Sequence, residues 1–237
     1  MAATRIQTLW RSVARHVHEY RGVFLFLILM CGFRSAWANW VYVPSGSMNP
    51  TILEGDRLLV DKHIYGLRVP LTLSHLTEGN DPARGDIIVF DSPANGTSLV
   101  KRVIAVPGDT VELEGERLIV NGASARYTVE AAPASSALLR STRALEPAVL
   151  RESGSSRTHD ILLLSGRIQA ERVGPLTVPA GMYFVLGDNR DNSTDSRYIG
   201  LVPRRNIVGR ATLVAVSLDP DRYYLPRSHR VLRSLYQ

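Results

Sequence analysis

The hydrophobic pattern divides the chain into a charged start, one long apolar run and a series of short apolar stretches cut by turn residues. Residues 1–21 are polar and basic, with Arg5, Arg11, Arg15 and Arg21 set against the single acid Glu19. Val23 to Phe33 follows without a charge. That run alone is short for a membrane span, which takes about 20 residues. Extended through Ala36, Trp37, Trp40, Val41, Tyr42 and Val43 it reaches the needed length, with Arg34 snorkelling toward a headgroup and the aromatics in the interface. The pattern therefore predicts a cytoplasmic segment over 1–21 and a single transmembrane helix over 22–43. A basic start, a short apolar core and Ala36-Trp37-Ala38 fit a cleavable secretory signal equally well. Either way the basic flank stays in the cytoplasm and everything after residue 43 is exported.

Beyond residue 43 the apolar stretches have the length of strands. Gly55 to Lys62 reads as a turn entering a strand, Gly85 to Asp91 as a second and Leu99 to Val106 as a third. Pro107-Gly108-Asp109 turns into a hairpin of Thr110–Leu113 and Arg117–Val120, which Asn121-Gly122 closes. Pro179 to Leu186 and Val208 to Ser217 supply later strands. Short strands separated by Gly, Asp and Pro turns predict a mainly β domain of antiparallel sheet. Residues 123–178 differ: they are rich in Ala, Ser and Arg, and Ile161 to Leu164 is their clearest strand core. The organisation expected is thus a first part of the β domain over 44–122, an insertion over 123–178, and a second part with a basic tail over 179–237.

Charge and composition narrow the partners. The 237 residues carry a net charge of +6, but the arginines are scattered and no nucleic-acid-binding motif is present, so the expected partner is anionic membrane phospholipid and not nucleic acid. The tail, with Arg222, Arg227, Arg230 and Arg233, reads as solvated or resting on such lipid. The one cysteine, Cys31, lies inside the apolar run, leaving neither disulfides nor a thiolate metal site outside it. The six histidines are dispersed as surface or loop residues. Neither a metal nor another cofactor is expected.

Three stretches carry candidate chemistry. In Pro44-Ser45-Gly46-Ser47-Met48-Asn49-Pro50-Thr51 a glycine between two hydroxyls allows a tight turn in which a side chain and nearby amides converge. The alternative is a plain polar turn. Lys101 lies in an otherwise apolar strand and is, with Lys62, one of only two lysines. Arginine cannot be deprotonated, whereas a desolvated lysine can act as a base toward serine. The alternative places Lys101 on a solvent face with Arg102 on the other. Ser98-Leu99-Val100-Lys101 has the S-x-x-K spacing of penicillin-binding proteins, but the S-D-N and K-T-G elements are missing. The third stretch, Gly187 to Arg197, reads either as an Asx-rich loop satisfying its own backbone or as part of a site. Its arginines oppose a calcium ion, and the EF-hand glycine and final glutamate are lacking.

Taken together, Pro-Ser-Gly-Ser-Met-x-Pro-Thr, Lys-Arg-Val-Ile-Ala-x-Pro-Gly-Asp and Gly-Asp-Asn-Arg-Asp-Asn-Ser-x-Asp-Ser-Arg, in that order, make the chain resemble the bacterial type I signal peptidases. The resemblance implies a barrel-like β fold, a retained N-terminal span in the inner membrane, and a serine–lysine endopeptidase. Its substrates would be preproteins, cut after Ala-x-Ala. It implies Ser47 as nucleophile and Lys101 as general base, with the Ser47 N–H and Ser45 hydroxyl forming the oxyanion hole. Ser193 would orient the amine, with Arg102, Asp188, Asp195 and Arg197 in support. Val43, Pro44, Met48, Ile52, Leu99 and Val100 would line the substrate pockets. A dedicated maturation peptidase for one secretion or conjugation substrate is the alternative within this chemistry. An inactive signal-binding module would lack Ser47 or Lys101, and a self-cleaving repressor would lack the anchor.

Overall fold

The computed structural model describes residues 20–23, 25, 26, 39–66, 77, 79–129, 147–154, 156–164 and 172–236. The chain divides into two compact units, Met1–Ala38 and Asn39–Gln237. In the first, residues 21–23, 25 and 26 are helical and exposed. Most of the expected span over 22–43 therefore lies outside the described residues, among which no helix is long and apolar enough to cross a membrane. Its last part is not helical. Asn39–Tyr42 forms β1, and Val43 is buried in the core of the second unit.

Strands follow in chain order as β2 (Asp56–Asp61), β3 (Ile87–Asp91), β4 (Ser98–Ala105), β5 (Thr110–Glu114), β6 (Arg117–Val120), β7 (Ala123–Ser124) and β8 (Arg126–Val129). Then come β9 (Pro147–Ser153), β10 (His159–Leu164), β11 (Val173–Thr177), β12 (Met182–Leu186), the short helix α1 (Ser196–Ile199) and β13 (Val202–Pro203). The long β14 (Ile207–Asp219), β15 (Leu225–Pro226) and β16 (Arg233–Ser234) complete the unit. The strand expectation holds: the fold is mainly β, and the pairings between these strands are antiparallel.

The main sheet runs β1-β2-β14-β3-β4-β12-β13, with β15 and β16 added to β14. Both faces are covered, which is why Ile87-Ile88-Val89-Phe90 is a continuous apolar run and not an alternation. Ile87 and Val89 join a cluster with Val43, Met48, Ile52, Leu58, Val60 and Val214. Ile88 and Phe90 face another, with Tyr65, Val103, Tyr183 and Val185. A second sheet, β11-β5-β6-β7, flanks the expected hairpin, and β10-β9-β8 forms a third. The segment 123–178 thus enters two sheets.

The basic tail is not a solvated extension. It folds back on β14, where Arg230 is buried and pairs with Asp56 at 2.6 Å, and Arg227 pairs with Asp219 at 3.2 Å. Each buried carboxylate needs a cation or several donors, and these tail arginines supply them. Arg222 and Arg233 remain exposed.

Candidate active site

Ser47 owes its place to its neighbours. Met48 and Ile52 occupy one turn, closed by Ile52 N–H donating to Met48 O at 2.9 Å, and both are fully buried in the cluster around Val43. Seating these two side chains leaves Ser47 half-buried at the rim. The turn is tightened by Asn49 N–H donating to Gly46 O at 3.1 Å. A second hold comes from across the molecule. Asn189 donates its N–H to Ser47 O at 3.1 Å and its Nδ2 to Gly46 O at 3.0 Å.

Lys101 arrives from β4, where it stands opposite Ile88 of β3. Its Nζ lies 2.8 Å from Ser47 Oγ and 2.9 Å from Val100 O. Neither Lys101 nor Arg102 faces solvent, each being 2% exposed, so the alternative of a solvent-face lysine fails. Burial pushes the Lys101 amine down from 10.5 to about 8, against the pull of Asp195 and Asp188, while Arg197 lowers it further. Such an amine is available in neutral form near neutral pH, and it then accepts from Ser47 Oγ instead of donating to it.

Arg102, one residue on, is a clamp. Its Nε and Nη2 donate to Asp188 at 2.8 and 2.6 Å, and its Nη1 donates to Gly85 O at 3.1 Å. Thr51 Oγ1 donates to the same carboxylate at 2.5 Å. Burial raises the Asp188 pKa, but the Arg102 guanidinium more than offsets it and holds the carboxyl below the usual range. The clamp ties β4 to the end of the Ser47 loop and to the segment after β12.

That segment satisfies much of its backbone through its own side chains, as an Asx-rich loop does. Asp195 caps α1, accepting from Arg197 N–H at 3.3 Å, and also accepts from Gly187 N–H at 2.9 Å. Its two oxygens take Arg197 Nε and Nη2, both at 2.8 Å. Ser196 Oγ accepts from Val185 N–H at 2.9 Å. Gly187 is required by close approach, since a Cβ there would lie 2.2 Å from Ser193 Oγ and 2.5 Å from Ser47 O. Ser193 is thereby packed beside the nucleophile loop. Its buried hydroxyl has no hydrogen-bond partner among the described residues, and the lysine amine bonds to Ser47 Oγ and Val100 O.

A half-buried serine at hydrogen-bond distance from a buried lysine is the arrangement expected of a hydrolase that uses no histidine. The family model described as "Signal peptidase, peptidase S26" matches residues 17–216. The chain belongs to the signal peptidase family, peptidase S26. It is 39% identical over 222 residues to a signal peptidase I of Pseudomonas fluorescens, covering 87% of this chain and 74% of that one. With a signal peptidase I of Pseudomonas aeruginosa the identity is 38% over 221 residues, with the same coverage. A solved signal peptidase I from Enterococcus faecalis V583, 38% identical, covers 56% of this chain and 98% of its own length at a TM-score of 0.34.

Among the residues the family resemblance implied, the structure joins Ser47 and Lys101 directly and links Arg102, Asp188, Asp195 and Arg197 around them. Val43, Met48 and Ile52 share one buried cluster, with Val100 packed on it. Leu99 packs on the cluster of Tyr65 and Phe90 instead. Pro44 and Ser45 are exposed. Further residues join the site unforeseen. Thr51, Asn189 and Arg190 stood inside quoted motifs without a role. Glu152 and His159 had no signal at all in the insertion, and His159 is buried, not a surface or loop histidine.

Proposed function

We propose that this member of the signal peptidase family is a membrane-bound endopeptidase that removes N-terminal signal peptides by Ser47–Lys101 catalysis. The observation that carries the reading is the 2.8 Å contact between a buried lysine amine and a half-buried serine hydroxyl. Neutral Lys101 takes the Ser47 proton as Oγ attacks the scissile carbonyl, and returns it to the departing amine of the mature chain. A water then attacks the acyl-enzyme, with Lys101 again as base, and frees the signal peptide. The Ser47 N–H and Ser45 hydroxyl receive the oxyanion, where one such donor is worth about 2.7–4 kcal/mol. The Ser193 hydroxyl, beside Gly187 and without a partner among the described residues, steadies the amine when it turns to Lys101 during the reaction. The apolar residues Val43, Pro44, Met48, Ile52 and Val100 favour small side chains on the acyl side of the cut, the Ala-x-Ala preference, while Leu99 serves the Tyr65 and Phe90 cluster.

The anchor in this reading lies within residues 22–38, at the short end of the range for a span, roughly 17–25 residues. The basic start faces the cytoplasm, and the β unit works on the periplasmic side of the inner membrane, against its phospholipid. In this reading the β unit follows the anchor directly along the chain, since β1 begins at Asn39. Cleavage of a detergent-solubilised precursor with an Ala-x-Ala site tests the reading. The wild type cuts after the second alanine, and Ser47→Ala and Lys101→Ala lose nearly all activity. Activity retained by Lys101→Ala would remove the lysine from its role. Cutting of one precursor alone among several unrelated ones would favour the dedicated maturation peptidase.

A further inference from the structure

The part of the chain least readable from sequence lies against the catalytic loop. Leu162 and Leu164 of β10 and Val149 of β9 cluster with Leu53, which directly follows the turn that holds Ser47. Beside this contact lies a buried cluster of polar and charged groups, in which burial pushes the His159 imidazole below its ordinary pKa. Glu152 of β9 is 0% exposed, and its Oε2 stands 2.8 Å from Nη1 of the equally enclosed Arg190. Its Oε1 is 3.6 Å from His159 Nε2, which is 3.8 Å from Asp188 Oδ1 on the other side. The ring is oriented by His159 Nδ1, 2.8 Å from Arg157 O, so that nitrogen carries a proton.

The backbone repeats the link. Leu162 N–H donates to Asp188 O at 2.8 Å, and Arg190 N–H donates to Leu162 O at 3.0 Å. Residues 188–190 therefore alternate between two attachments. Asp188 and Arg190 are tied to the β9–β10 hairpin, and Asn189 between them holds the Gly46 and Ser47 carbonyls. A buried ion pair is a poor means of adding stability, because a well-packed apolar cluster of similar volume does as well or better. What it adds is a fixed direction, and here the directed segment touches the nucleophile's own peptide group.

We propose that Glu152 is a positioning residue for the reaction. It holds Arg190, and through it the Asp188–Arg190 segment, so that Asn189 keeps the Ser47 hydroxyl aligned with Lys101. The insertion is in this sense part of the catalytic device, and the inference rests on the Ser47–Lys101 reading above.

The experiment measures kcat and KM of the full chain in detergent for an Ala-x-Ala precursor, with a thermal melt on each protein. Misplacement of a reacting group by about 1 Å costs up to roughly a hundredfold in rate, so Glu152→Gln lowers kcat about tenfold. KM stays within about twofold, since no substrate contact is lost. Glu152→Asp keeps the charge, recovers part of the rate, and gives the same split if Glu152→Gln does not fold. An unchanged kcat below the melting transition, whatever the melting temperature, would overturn the proposal and leave the pair as a brace. A raised KM at unchanged kcat would also overturn it, making the hairpin a substrate contact. Wild type and Ser47→Ala run alongside: if the first is inactive or the second active, it is the serine–lysine reading that falls.

Discussion

Lys101 and Arg102 are neighbours in β4 and equally buried, yet their surroundings put them to opposite uses. Desolvation penalises both cations. Arg102 is met by a bidentate carboxylate, keeps its charge, and acts as a clamp. Lys101 meets a hydroxyl and a carbonyl, and its pKa falls to about 8. Asp188 and Asp195 act on it from a distance, enough to temper the fall but not to reverse it. Burial alone therefore does not make a base. Burial without a carboxylate in contact does, and arginine could not have filled the position at all.

The largest expected effect comes from Lys101→Met, which keeps the volume and removes the base. Cleavage falls by about 10²–10⁴ in kcat, while the melting temperature holds or rises because an amine no longer has to be buried. Arg102→Met inverts that outcome. It strands the Asp188 carboxylate, and stability drops by about 3–5 kcal/mol in a denaturant titration. If both variants lost stability alike, the distinction between base and clamp would be wrong. Gly187→Ala drives a methyl against Ser193 and the Ser47 carbonyl, and precursor cleavage falls by up to about a hundredfold with the fold retained.

The pH profile gives the smallest and finest test. Lys101 must be neutral to act, so kcat/KM rises with pH through a midpoint near 8 and then levels. Asp195 raises the lysine's pKa, so Asp195→Asn moves the midpoint toward acid. A midpoint that moved toward alkali would show that the charge at 195 does not act on the amine in this way.

Strands β2, β3, β4, β12 and β14 of the main sheet were legible because each is an apolar run bounded by Gly, Asp or Pro. Ile87 to Phe90 and Leu99 to Val106 needed no tertiary knowledge to be read as strands. The end of the span, drawn through Trp40, Val41 and Tyr42, was carried too far because an apolar strand edge and the end of a span share the same composition. Residues 39–42 pair with β2 instead. The tail arginines misled for a similar reason: a charge run looks solvated until the carboxylates that meet it, Asp56 and Asp219, are folded against it.

Local order along the chain was enough to set the strands β2 to β6, β12 and β14, a tight turn around Ser47, and the choice of lysine over arginine as a base. These depend on side-chain chemistry and on neighbours within a few positions. Contacts across the fold set the rest: which cation met a carboxylate, which side chain lost its water, and which distant segment held the nucleophile's peptide group. Asp188 lies 86 positions from the arginine it clamps, and Asn189 lies 143 from the carbonyl its side chain binds. Separations of that size leave no local pattern. The partners of Lys101 and Arg102, and with them the difference between a proton acceptor and a brace, exist only once the sheet has closed.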